Sequence, residues 1–115
     1  MTSGQDVWKE EGEPFTRITP KAANDMISEG NVRIIDVRNQ DEWDEGHVPG
    51  ATLIPVDDLF SRMDELERDK KLLFICAMGV RSALACEMAA ALEYTDLYNI
   101  EGGTGAWAEE GYPIE

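Results

Sequence analysis

The stretch KLLFICAMGVRSALACEMAAAL, residues 71–92, decides the fold. It opens as an apolar run, KLLFIC, and closes as an alanine-rich one. The first half is too free of polar residues to be half exposed, so 71–76 reads as a β-strand covered on both faces. Ser82 to Glu93 reads as a helix. Between them stand Cys76, Ala77, Met78, Gly79, Val80 and Arg81, followed by Ser82. The chain must turn from strand into helix over Ala77 to Val80, and Gly79 is the residue best able to take a positive φ there. Such a turn points backbone N–H groups inward, and the helix N-terminus adds a partial positive charge. Together they form a small anion nest. A cysteine facing that nest is expected to have a depressed pKa and to be a thiolate near neutral pH. Arg81 either adds a permanent cation or points its head outward to brace the loop. Ser82 either caps the helix or donates its hydroxyl into the nest. The competing reading makes Cys76 a small core residue and nothing more.

Working outward, RITPKAANDMISEG (17–30) carries a helix signature, with Thr19 as N-cap, Pro20 at the first helical position and Gly30 at the stop. VRIIDV (32–37) and ATLIPV (51–56) read as buried strands, and DLYNI (96–100) as another. NQDEWDEG makes one or two helical turns between Asn39 and Gly46, VDDLFSRMDELE a helix capped near Asp57, and TGAWAEEG (104–111) a closing helix. Strands alternating with helices predict an α/β domain with a mostly parallel central sheet flanked by helices on both faces. Residues 1–14 read as a flexible acidic lead-in and 15–115 as one domain.

Composition narrows the function. The 115 residues suit a single domain with a core of its own. Twenty-four acidic against ten basic residues give a formal net charge of -14, which argues against nucleic acid and anionic membrane surfaces as partners. Such an acidic, lysine-poor surface would suit high salt. Two cysteines make no disulfide framework, and no secretory leader or long apolar run is visible, so a cytoplasmic, monomeric protein is expected. One histidine and no clustered cysteines argue against a zinc site.

The loop Cys76-Ala77-Met78-Gly79-Val80-Arg81-Ser82 resembles the active-site loop of rhodanese (sulfurtransferase) domains. IIDVRNQDEWDEGHVPGA (34–51) resembles the family's N-terminal signature, with Asp36, Arg38, Glu42, His47, Pro49, Gly50 and Ala51 in place. YNIEGGTGAWAEEGYPI (98–114) resembles its C-terminal stretch. The resemblance implies a single rhodanese domain, needing no metal or organic cofactor, in which Cys76 takes a sulfane sulfur from a small donor, thiosulfate or a persulfide, or from a protein sulfur donor. It then passes the sulfur to a thiol or cyanide acceptor. The alternatives are a non-catalytic interaction module of the same fold, or a phosphatase or arsenate reductase. The latter two use a Cys-x5-Arg loop, one residue longer than the Cys-x4-Arg found here. The apolar Ala77, Met78 and Val80 leave Arg81 as the one charged residue of the loop, which weakens the case for a thiosulfate dianion.

The remaining candidates are given supporting roles. Asp36 and Arg38 lie at a strand end and are expected to pair and brace the loop. Glu42 is a partner for Arg38 or a solvated helix residue. His47 takes a structural role, as the resemblance implies. Cys86 is read as a small buried helix residue. Trp107 and Tyr112 are expected to pack the closing helix onto the sheet, and Trp43 to do the same or to rim the pocket.

Overall fold

The computed structural model describes residues 5–115, so the first four residues of the expected lead-in lie outside it. Six strands form one sheet: β1 (Val7–Trp8), β2 (Thr16–Ile18), β3 (Val32–Asp36), β4 (Thr52–Leu53), β5 (Lys71–Ile75) and β6 (Leu97–Ile100). Their order is β1-β2-β6-β5-β3-β4, with β1 antiparallel to β2 and every other pair parallel. Among the described residues five α-helices surround it: α1 (Pro20–Glu29), α2 (Gln40–Glu45), α3 (Leu59–Arg62), α4 (Val80–Ala91) and α5 (Gly103–Glu109). No helix among the described residues is long and apolar enough to cross a membrane.

The alternation of side chains along each strand divides the core in two. Leu72 and Phe74 of β5 join Ile35, Leu59, Met63, Ala85 and Cys86 on the face covered by α3 and α4. Leu73 and Ile75 point the other way, toward Ile34, Ala22, Ala23, Ile100 and Trp107 under α1 and α5. A strand whose side chains are buried in both directions has no polar positions, which is why KLLFI reads as it does. Trp107 donates its indole N–H to the Pro113 carbonyl at 2.8 Å and meets Tyr112 edge-on, so the closing segment is pinned as expected.

The helix signals at α1 hold: the Thr19 hydroxyl accepts from the Ala22 N–H, and Gly30 ends the helix at a φ of 89°. Elsewhere the elements differ from the sequence reading. The sequence pattern does not announce strands β1 and β2; Val7 and Trp8 lie within the expected lead-in and pair with Ile18 and Arg17. The strand expected over 51–56 shrinks to Thr52–Leu53, because Pro55 cannot donate to a ladder and the chain turns at Val56–Asp58. The helix expected after Asp57 is a single α-helical turn between two 3₁₀ turns, Val56–Asp58 and Met63–Glu65. Helix α4 begins at Val80, two residues earlier than expected, so that Ser82 lies inside its first turn.

The division of the core gives a direct test. Phe74→Ala empties a fully buried site and is expected to cost about 3–5 kcal/mol in denaturant unfolding. Phe60→Ala, at a ring 55% exposed, should stay within about 0.5 kcal/mol.

Candidate active site

The carboxyl ends of β3 and β5 are adjacent, since the two strands pair in parallel from Val32↔Lys71 to Asp36↔Ile75. The chain leaves β3 toward β4 on one side, while β5 leads to β6 on the other. A crevice at such a switch point is where open α/β sheets bind ligands. Cys76 is the first residue beyond β5.

The chain after Cys76 curls back around its own sulfur. Gly79 adopts a left-handed φ of 99°, which turns its N–H onto Cys76 Sγ at 3.0 Å. The Ser82 N–H, in the first turn of α4, reaches the same sulfur at 3.4 Å, and the Ser82 hydroxyl lies 3.3 Å from it. Burial pushes the Cys76 thiol pKa up. The Ser82 hydroxyl and the N–H groups of Ser82, Met78 and Gly79 outweigh that and hold it below the ordinary thiol value. The sulfur lies at the base of a hollow of about 280 Å³ lined by Cys76, Ala77, Met78, Val80 and Arg81. A larger cavity of about 690 Å³ lies between Phe60, Met63, Arg68 and Leu92, at the far end of α4. A 12-residue helix puts that cavity about 16 Å away from the loop, too far to serve Cys76.

A model of the rhodanese-like domain matches residues 19–110. The chain belongs to the rhodanese-like domain family. It is 35% identical over 99 residues to the probable adenylyltransferase/sulfurtransferase MoeZ of Mycobacterium tuberculosis, a match covering 84% of this chain and 25% of that protein. The chain thus spans about a quarter of the length of that relative. A sulfurtransferase of Allochromatium vinosum is 33% identical over 84 residues, covering 73% of this chain and 78% of the relative. The crystal structure of a rhodanese-related protein from Thermoplasma volcanium superposes with a TM-score of 0.79 at 35% identity, covering 86% of this chain and 96% of that one. The names of the relatives support a rhodanese-type sulfurtransferase.

In this rhodanese-like domain the supporting residues fall into one chain of contacts. Asp36, fully buried, accepts from the Arg38 backbone N–H and from the Arg38 guanidinium at 2.8–3.1 Å. Arg38 also donates to the Gly46 carbonyl at 2.7 Å, so the expected ion pair anchors the end of α2 and not the loop itself. Glu42 does not pair with Arg38. Its two carboxylate oxygens take both terminal nitrogens of Arg81, at 2.8 and 2.9 Å, and one of them also accepts the Asn39 N–H. The Arg81 contact, then the Asn39 N–H, lower the Glu42 pKa to about 2. Arg81 therefore braces the loop against α2.

His47 stacks on Trp43 with ring centroids 3.6 Å apart, and its backbone exchanges hydrogen bonds with Glu115. Neither ring lines the hollow over Cys76. Cys86 is a buried free thiol whose pKa burial pushes well up.

Two contacts under the loop escaped the sequence reading. Gly103 packs so closely that a Cβ there would stand 2.2 Å from the Cys76 carbonyl oxygen, and the Thr104 N–H donates to that same carbonyl at 2.8 Å. Asn99, fully buried on β6, donates to the Gly79 carbonyl at 3.2 Å and to the Glu101 carboxylate. Gly102 and Gly103 lie in the 98–114 stretch that resembles the family's C-terminal signature, which assigns them no role. The signal for Asn99 was a lone amide in the otherwise apolar end of a buried strand.

Two outcomes follow from this geometry. Alkylation of Cys76 by iodoacetamide, followed against pH by peptide mass spectrometry, should show a midpoint below that of an ordinary thiol, and Ser82→Ala should move it up. Gly103→Ala, which forces a methyl into the Cys76–Ala77 backbone at a φ of +60°, should lower the melting temperature and slow the alkylation at pH 7.

Proposed function

We propose that this domain is a sulfurtransferase that carries a sulfane sulfur as a persulfide on Cys76. The observation that carries the reading is the convergence of the Gly79 and Ser82 N–H groups and the Ser82 hydroxyl on a single buried sulfur. That arrangement favours the thiolate, the reactive form of cysteine. The thiolate attacks the outer sulfur of a donor. A Sγ–S bond forms as the donor's own bond to that sulfur breaks, and the leaving group departs with the electron pair. A nucleophilic acceptor, a thiol or cyanide, then attacks the outer sulfur and releases Cys76 as the thiolate. The two half-reactions share one enzyme form and give ping-pong kinetics. The same donors that hold the thiolate stand ready for the persulfide anion, so charge need not be re-solvated between the steps. No step calls for a cofactor.

Intact-mass spectrometry tests the reading. Incubation with thiosulfate or glutathione persulfide should add the mass of one sulfur atom to the wild-type chain and none to Cys76→Ala. Folded wild-type protein that gains no sulfur from either donor would favour a non-catalytic interaction module.

A further inference from the structure

The hollow over Cys76 is apolar where an anion-binding pocket would be charged. Of its lining residues, Ala77, Met78 and Val80 carry no charge, and Arg81 is the only cation among them. Met78 and Val80 are 78% and 76% exposed, so they form the rim that an incoming donor meets. Leu84, one helical turn beyond Val80, continues that apolar face outward and is itself exposed. The one cation is already engaged: both terminal nitrogens of Arg81 lie against the Glu42 carboxylate. Glu42 stays ionised far below neutral pH, so the pair does not open by titration in the physiological range. The Gly79 and Ser82 N–H groups are engaged as well, since they point at Sγ. The net charge of -14 then opposes a second negative charge on the donor.

We infer that Glu42 sets the donor class of this site. By holding both terminal nitrogens of Arg81 it offsets the charge of the one cation that lines the hollow. The site then takes its sulfur from a small donor that carries at most one negative charge and an apolar group R, and discriminates against a dianion such as thiosulfate. This rests on the persulfide reading above and adds the chemistry of the donor to it. For an organic persulfide R–S–SH, Cys76 Sγ bonds to the outer sulfur and R–S⁻ leaves with the electron pair. For a thiosulfonate R–SO₂–S⁻, the sulfinate R–SO₂⁻ leaves in the same way. Neither exchange needs an external oxidant or reductant. The group R rests on Met78, Val80 and Leu84, which supply apolar contact and no hydrogen bonds.

Thiosulfate and benzenethiosulfonate make the comparison, because a phenyl group in the second replaces one charged oxygen of the first. The readouts are sulfur loading on Cys76 by intact mass and kcat/KM for each donor with cyanide as acceptor. Wild type should favour benzenethiosulfonate by at least about tenfold, the size of one charge-assisted hydrogen bond. Added salt should speed the thiosulfate reaction more than the other, as screening weakens the repulsion. Glu42→Gln keeps an acceptor for the Asn39 N–H and frees Arg81. It should narrow the ratio by about tenfold, chiefly through a lower KM for thiosulfate. Comparing the ratio between variants cancels the difference in leaving group. Should Glu42→Gln fail to fold, Met78→Lys decides: it places a cation on the exposed rim and should narrow the ratio in the same direction. A wild type that prefers thiosulfate, or a ratio unmoved in the folded variant, overturns the donor assignment while the persulfide reading stands. No sulfur on Cys76 from either donor overturns both.

Discussion

A buried sulfur anion is tolerable only where hydrogen-bond donors replace the water it has lost. The two cysteines of this chain show the rule from both sides. Cys76 and Cys86 are equally hidden, at 1% and 0% exposure. Burial pushes the Cys86 thiol pKa up, with no hydrogen bond to its sulfur among the described residues to oppose it. Burial acts on Cys76 in the same direction, and the donors of one short loop reverse the result. The rest of the architecture serves that loop. Strand β5 delivers Cys76 to the sheet edge, the left-handed turn at Gly79 aims the first N–H, and the early start of α4 aims the second. From the other side, the absent side chain of Gly103 lets the start of α5 press against the Cys76 carbonyl, and the Asn99 amide holds the Gly79 carbonyl.

The charged residues around the site divide the work differently. Among the described residues the sulfur's hydrogen-bond partners are Gly79 and Ser82, and no acidic group is one of them. Asp36 and Arg38 form a pair that is almost wholly buried, an arrangement costly to assemble and more costly to break by removing one partner. Its return is position: Arg38 holds the end of α2 at Gly46, and α2 holds Glu42. Glu42 in turn holds Arg81 through two parallel hydrogen bonds, a planar fork that fixes angle as well as distance. Glu42 has a lowered pKa, so the support it gives is complete above its unfolded value and fades only as pH falls toward about 2. The brace is therefore intact across the range in which Cys76 changes charge.

What could be read from the sequence follows from how local each signal is. Strands β3 and β5 announce themselves because both their faces are buried, and α1 because its cap, its first-turn proline and its terminal glycine are all adjacent in the chain. The loop is legible for the same reason, since seven consecutive residues hold both the nucleophile and its donors. Strands β1 and β2 are not legible. They contain two and three residues, and what makes them strands is pairing with each other and with Tyr98, Asn99 and Ile100 near the other end of the chain. Glu42 illustrates the same limit within the site. Its sequence neighbour Arg38 was the natural partner, yet Arg38 is already taken by Asp36, and the arginine that Glu42 does meet is 39 residues away. Local pattern names the charges; only the fold decides which of them meet.

A strongly acidic protein is at first sight a poor host for a thiolate. The two fields act over different lengths. The charges that sum to -14 are spread over a surface whose potential salt screens within roughly 8 Å. The donors on Cys76 stand at 3.0–3.4 Å from it, inside the protein, where screening is weak. The near field therefore fixes the charge state of the nucleophile, and the far field acts on whatever approaches it. Arg81 lies at the boundary between the two: it still interacts with Cys76 through space, but its terminal nitrogens are held by Glu42. Its guanidinium fixes the shape of the loop, so the hydrogen bonds to the sulfur come from the Ser82 hydroxyl and from backbone N–H groups, none of which carries a charge that titrates. A site built this way is selective by subtraction: it keeps a reactive sulfur in hand and offers an approaching anion little beyond the sulfur itself.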